Sequence, residues 1–231
     1  MKIGIICAIP QEKRFFDLQP NSSQILGCRT FYKKKDTRHE LIVVECGLGK
    51  VNAAMVSTLL IQEFDCELLI FSGVAGGIDP KIEIGEVVIG DSLIQYDYGA
   101  VKDGKLQVYR AGSIPIGPTN NTVEYTLDPE IKKIIMAAIP SVRIGRILTG
   151  DVFLQCGETR KALFNQFAAQ AIEMEGGAVA QVAEQFGISA IVVRCLSDLA
   201  GANGQKLSST FLNHAAMNSF KTVQTILKAL R

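Results

Sequence analysis

Apolar runs rich in isoleucine and valine recur along this chain at residues 2–8, 41–46, 68–72, 87–94, 144–149 and 190–196. Runs this short and this β-branched read as strands covered on both faces. Between several of them lie segments with helical periodicity, at residues 51–63, 158–167, 176–186 and 207–230. Strand and helix in alternation predict a three-layer α/β fold, with a mostly parallel or mixed central sheet flanked by helices. With 231 residues, 48% of them hydrophobic, the chain can fill one sizeable core, so residues 1–231 are expected to form a single domain. Residues 98–122 break the rhythm with glycine, proline and few apolar runs. They read as an excursion from the sheet, either a long loop or a segment facing a partner.

The charge balance narrows the class of partner. The formal net charge is +1, and the longest basic run, Lys33-Lys34-Lys35, reads as a turn, so neither nucleic acid nor a membrane surface has an electrostatic footprint. A small molecule is the expected partner. The cysteines at 7, 28, 46, 66, 156 and 195 form no C-x-x-C pair, and several sit in apolar runs, so they read as reduced core residues. The first apolar stretch is cut by Pro10 and the charged residues after it, with no small-residue cleavage site, and no run reaches the length of a membrane span. A cytoplasmic location is expected. His39 and His214 do not lie in a ligand-spaced cluster, so neither a metal nor a cofactor is expected.

Ligands of open α/β sheets bind beyond the carboxyl ends of the strands, and the loops there hold the candidate chemistry. Glu12 follows the first strand at the start of a short helix, where it could activate water or simply complement the helix dipole. Ser72 to Gly77 reads as a glycine-rich turn that lets the backbone approach a ligand closely. Neither it nor Gly47-Leu48-Gly49-Lys50 has the spacing of a phosphate-binding loop. In Glu173-Met174-Glu175, carboxylates at i and i+2 share a face only if the backbone is extended; a short strand ending at a helix start would aim both at one region, suited to the vicinal hydroxyls of a ribose. Ser197 and Asp198 end the last strand, where the Asp could donate a proton to a heteroaromatic nitrogen or cap a turn. Phe153, after Thr149-Gly150-Asp151, could stack on a base or fill the core.

Taken in chain order, these segments resemble the methylthioadenosine/S-adenosylhomocysteine nucleosidases of the nucleoside phosphorylase superfamily. The resemblance runs from Met1-Lys2-Ile3-Gly4-Ile5-Ile6 through Gly73-Val74-Ala75-Gly76-Gly77 and Gly150-Asp151-Val152-Phe153 to Glu173-Met174-Glu175-Gly176 and Arg194-Cys195-Leu196-Ser197-Asp198. It implies a nucleoside phosphorylase-like fold, a homodimer and hydrolysis of an N-glycosidic bond. By the same resemblance Glu12 is the water-activating base and Asp198 the acid that protonates N7 of the departing adenine. Phe153 stacks on the base, Leu154 reads its edge through the backbone, Met174 and Glu175 hold the ribose, and Gly76 lies beneath the sugar. Two departures bear on the substrate: Val74 stands where close relatives carry Ser or Thr, and Gln95-Tyr96-Asp97-Tyr98-Gly99 differs from a His-Asp pattern. Three alternatives stay open. A phosphorylase would need cationic partners for phosphate, typically arginines, and neither glycine loop nor first loop carries one. A futalosine-type hydrolase would differ at the 5′ end, and a nucleoside-binding protein would bind without releasing base.

Overall fold

The computed structural model describes residues 1–117, 122–201 and 209–230. In chain order the elements are β1 (Lys2–Cys7), α1 (Pro10–Lys13), β2 (Ser23–Leu26), β3 (Arg29–Lys35), β4 (Glu40–Glu45) and α2 (Lys50–Phe64). Then come β5 (Leu68–Gly77), β6 (Val87–Gln95), β7 (Gly99–Lys102), β8 (Lys105–Val108), β9 (Tyr125–Thr126) and α3 (Pro129–Ala138). The chain closes with β10 (Arg143–Thr149), α4 (Gly157–Phe167), β11 (Ala171–Glu173), α5 (Gly176–Gln185), β12 (Ser189–Asp198) and α6 (Ser209–Ala229). The first two residues of the helix expected at 207–230 lie outside the described residues.

The main sheet runs β11-β10-β6-β12-β5-β1-β4-β3-β2, with β9 beside β6. Its centre is parallel, β12 to β5, β5 to β1 and β1 to β4, while β12 meets β6 antiparallel. The sheet is therefore mixed, as the alternation allows. β11 also pairs antiparallel with Gly76 and Gly77 at the end of β5, which folds the far edge of the sheet back onto its middle.

Alternation along β1 divides the core. Ile6 joins a cluster with Val56 and Leu60 of α2 and Val179 and Ala183 of α5, whereas Ile3 and Ile5 join Ile135 of α3 and Val223 and Ile226 of α6. Successive side chains point to opposite faces of a strand, so helices cover both faces, giving three layers. A smaller cluster under α4 holds Ile94, Leu148, Leu163, Phe167 and Ile172.

Several expectations change on inspection of the structure. Ser72 to Gly77 is not a turn but the second half of β5, held extended by pairing with β12 on one side and β11 on the other. Lys33-Lys34-Lys35 ends β3 in register with β4 instead of turning; the lysines extend beyond an edge where charge is tolerated. The excursion contains the β7–β8 hairpin, turned by Asp103 and Gly104 with positive φ, while residues 118–121 lie outside the described residues. Cys28 and Cys156 are exposed, so only Cys7, Cys46, Cys66 and Cys195 are core cysteines.

Candidate active site

The carboxyl ends of β1, β5 and β12, joined by the start of α5, gather the acidic residues. Glu12 sits one turn into α1 with its carboxylate folded back over the first strand: Oε2 accepts the N–H groups of Ala8 at 2.7 Å and Ile9 at 3.2 Å, and Oε1 accepts that of Val74 at 2.9 Å. The side chain reaches back to the helix start as the acidic half of a capping box does, and the residue is 3% exposed. Burial pushes its carboxyl pKa up, against the pull of Arg194 and these three N–H groups.

Arg194 is the cation the loops lacked in sequence. It lies on β12 opposite Gly73 of β5, fully buried with its guanidinium 3.9 Å from the centre of the Phe71 ring, an arrangement favourable to a cation over an aromatic face. It pairs with Glu173 Oε2 and, at 3.1 Å, with Glu175 Oε2. A methyl group on Gly73 would stand 2.2 Å from Arg194 Nη1 and 2.6 Å from Glu12 Oε1. Glycine is required there by the close approach of both charges.

A carboxylate offers about four acceptor positions, and the three glutamates differ in how many remain. Glu173 accepts from Thr149 Oγ1, Arg194 Nη2 and the N–H groups of Glu175 at 3.0 Å and Gly176 at 2.7 Å. Protein donors fill it, and it holds the start of α5 and Arg194 while also lining the cleft beside Asp198. Among the described residues Glu175 accepts from Gly49 N–H at 2.8 Å and from Arg194, two donors against the four that hold Glu173. Burial, opposed by Arg194 and aided by Glu173, pushes its pKa to about 7. Extended backbone through β11 does bring both glutamates to one region, and Met174 between them lies half-buried beside the cleft.

At the end of β12 the register with β5 slips between Leu196 and Asp198, so that Asp198 lies opposite Gly76. A bulge of this kind re-aims the side chain after it. Asp198 Oδ2 accepts from Ser197 Oγ at 3.0 Å and Oδ1 from Ala200 N–H at 2.9 Å; burial raises its pKa against both bonds. Ser197 is thus aimed at Asp198 and at the Ala75 carbonyl. A narrow cleft joins Asp198 to Gly76, Phe153, Leu154, Ile172, Glu173 and Met174. Leu154 is buried, whereas Phe153 is 57% exposed, an aromatic face open beside a half-buried acid. Glu12 touches β5 at Val74 and Asp198 faces Gly76, two residues further along the strand.

Compared with known proteins, the phosphorylase superfamily model matches residues 2–228. A 5′-methylthioadenosine/S-adenosylhomocysteine nucleosidase of Mycobacterium bovis is 34% identical, over 99% of this chain and 97% of its own. The chain belongs to this nucleosidase family, within the phosphorylase superfamily. Among solved structures, the S-adenosylhomocysteine nucleosidase of Streptococcus pyogenes in complex with 5-methylthiotubericidin superposes with a TM-score of 0.85 at 30% identity, covering 100% of this chain and 98% of that one. The futalosine hydrolase of Helicobacter pylori gives 0.87 at 26% identity, covering 100% and 98%. The nucleoside phosphorylase-like fold is common to this nucleosidase family member and both neighbours.

Within its sequence motif Arg194 carries no assigned role. A charged residue in the middle of an apolar strand was the available signal, since arginine is almost never fully buried unless paired.

Proposed function

We propose that this family member hydrolyses the N-glycosidic bond of a 5′-substituted adenine nucleoside, methylthioadenosine or S-adenosylhomocysteine, to adenine and the corresponding ribose derivative. The observation that carries the reading is the pair of carboxylates at either end of the β5 glycine stretch, Glu12 buried and Asp198 half-buried, with Glu175 beside them. In this assignment the substrate lies across Gly73–Gly76 with its base on Phe153 and near the Leu154 backbone, Gly76 beneath the sugar and Met174 against it. Glu175 accepts from the vicinal hydroxyls. Asp198, held by Ser197 and kept protonated longer by burial, gives its proton to N7 as the C1′–N9 bond breaks. Glu12 takes a proton from the water that bonds to C1′. The positive charge that develops on the sugar is steadied by the neighbouring carboxylates. Glu173 is a positioning residue in this scheme.

Phosphate is disfavoured as the nucleophile. Arg194 lies close by, but Glu12, Glu173 and Glu175 share that one guanidinium, so a dianion would meet excess negative charge. Adenine release from methylthioadenosine should therefore proceed equally with and without inorganic phosphate; strict dependence on phosphate would replace hydrolysis by phosphorolysis, and saturable binding without release would make this a binding protein. The likeness to a futalosine hydrolase favours one second reading, a larger 5′ substituent, which a substrate panel scored by free base decides.

The same reading takes residues 1–231 as one catalytic domain working as a cytoplasmic homodimer in methionine salvage. No helix among the described residues is long and apolar enough to cross a membrane. Leu48 just before α2, and Val51 and Met55 on its first turns, are exposed apolar residues, next to the site. Val101, Ile114 and Ile116 of the excursion are exposed as well, suited to closing a partner's 5′ pocket.

A further inference from the structure

The chain entering α2 is fastened on two sides. Gly49 donates its N–H to Glu175 Oε1 at 2.8 Å, and the next residue, Lys50, donates its own to Asp151 Oδ1 at 2.9 Å. The Lys50 side chain turns to Asp97, with Nζ 2.6 Å from Oδ1, and stands 3.6 Å from Asp151 Oδ2. Asp97 Oδ2 completes a ring by accepting the Asp151 N–H at 2.8 Å. Three elements meet here: the first turn of α2, the turn after β6 and the segment that leads from β10 to Phe153. Two carboxylates beside one ammonium are tolerated because the N-terminus of α2 favours negative charge.

An isolated exposed ion pair would be worth about 0 to 1 kcal/mol and need no further reading. This ring differs in two respects. The side chains of Lys50 and Asp97 are mostly covered, at 18% and 24% exposure, and two of its bonds take backbone N–H groups, so it fixes main chain as well as side chains. None of its three residues lines the cleft between Gly76 and Asp198; one end reaches Glu175 through the Gly49 N–H, and the other runs from Asp151 to Phe153, which does line it.

We propose that Lys50, Asp97 and Asp151 form a positioning clamp that keeps the Gly49 N–H on Glu175 and sets the stacking segment at a fixed distance from it, with Lys50 as its central residue. The clamp rests on the ribose-holding role proposed for Glu175. Groups facing Glu175 from the surrounding elements are Arg194 of β12, Glu173 of β11, Glu12 of α1 and the Cys46 thiol after β4; Lys50 is engaged with Asp97 instead. Gly49 is the contact that the clamp controls. An N–H bonded to a carboxylate favours its charged form, so a loosened clamp raises the pH at which Glu175 ionises.

The test uses the full chain labelled with 13C at glutamate carboxyls, the Glu175 signal being identified by its loss in Glu175→Gln. Its titration is followed in the wild type, Lys50→Met, Lys50→Arg and Asp97→Ala. Lys50→Met and Asp97→Ala are expected to raise the midpoint by about half a unit or more, and Lys50→Arg to return it toward the wild type. Asp97→Ala is the decisive variant: removing a negative charge lowers the midpoint if only the field acts, whereas loss of position raises it. A midpoint that falls or stays in Asp97→Ala overturns the clamp. Kinetically, kcat/KM for adenine release on the acid side of neutrality should fall about threefold to tenfold in Lys50→Met, with little further loss when the change is made in Glu175→Gln. Full additivity there would mean that Lys50 only supports the fold, and would overturn the proposal. A wild type that releases no adenine refutes the proposed reaction, while the titration still decides the clamp.

Discussion

Glu12, which is buried, and Asp198, which is half-buried, both have carboxyl pKa values raised by burial, yet the proposed chemistry asks opposite things of them. Asp198 must hold a proton until the purine leaves, and Glu12 must be free of one to take it from water. Asp198→Asn keeps the size and the contact with N7 but cannot deliver a proton, so turnover should fall about 10²- to 10⁴-fold while adenine still binds. Glu12→Gln should be similarly slow because water is no longer polarised. A ribosyl p-nitrophenyl ether, whose leaving group departs without protonation, separates them: it should restore Asp198→Asn and leave Glu12→Gln slow. Equal rescue of both would reverse or void the assignment. The pH profile follows from the same shifts. Activity needs Glu12 and Glu175 ionised, and burial raises the pKa of both, so the acid limb of kcat/KM should lie above the usual carboxylate range. An acid limb in the ordinary carboxylate range would contradict the burial that defines the site.

The glycine stretch of β5 shows how an element sets these residues. Gly73 lets β5 and β12 lie side by side while Arg194 and Glu12 cross the space a side chain would take. Gly73→Ala should lower stability by about 1 to 3 kcal/mol, as overpacking does, and reduce turnover further by displacing Glu12; urea unfolding and adenine release measure the two. Unchanged stability would mean that the guanidinium can move aside without cost. The same stretch marks the limit of reading this sequence. Val and Ile runs made β1, β4, β6, β10 and β12 legible to within a residue or two, because burial on both faces leaves a continuous apolar record. Ser72 to Gly77 looked like a turn because its extension depends on pairing with β11 and β12, which are distant in sequence. The polar hairpin of β2 and β3 was missed for lack of apolar alternation. α3 was missed although its start was written locally: Asp128 caps the N–H groups of Glu130 and Ile131 at 2.9 and 3.0 Å, with Pro129 in the first turn, a readable combination. In the site, Glu12, Glu175 and Asp198 were picked out as residues, but the saturation of Glu173 by four donors is a property of folded geometry that no spacing encodes.

At the scale of the molecule, the proposed dimer follows from where apolar surface is left uncovered. Val51 and Met55, four residues apart, share one side of α2, with Leu48 exposed just before the helix, and Val51 is 81% exposed. The Lys50–Asp151 contacts bring these residues beside Val152 and Phe153, which are also exposed. Scattered apolar residues on a surface need no partner, but several gathered at the border of a ligand site suit the proposed interface, and two-fold symmetry lets one surface serve both copies. Val51→Glu places a charge on this surface without touching Glu12, Glu175 or Asp198. Light scattering should then show the wild type at twice the chain mass and the variant at the mass of one chain. If the partner closes the 5′ end, the variant should lose affinity for nucleosides with long 5′ substituents more than for adenosine itself, while its thermal midpoint in the monomeric state remains cooperative. A wild type that is monomeric at micromolar concentration would remove the dimer from the proposal. A monomeric variant with unaltered preference among 5′ substituents would keep the dimer but place the 5′ pocket wholly within one chain.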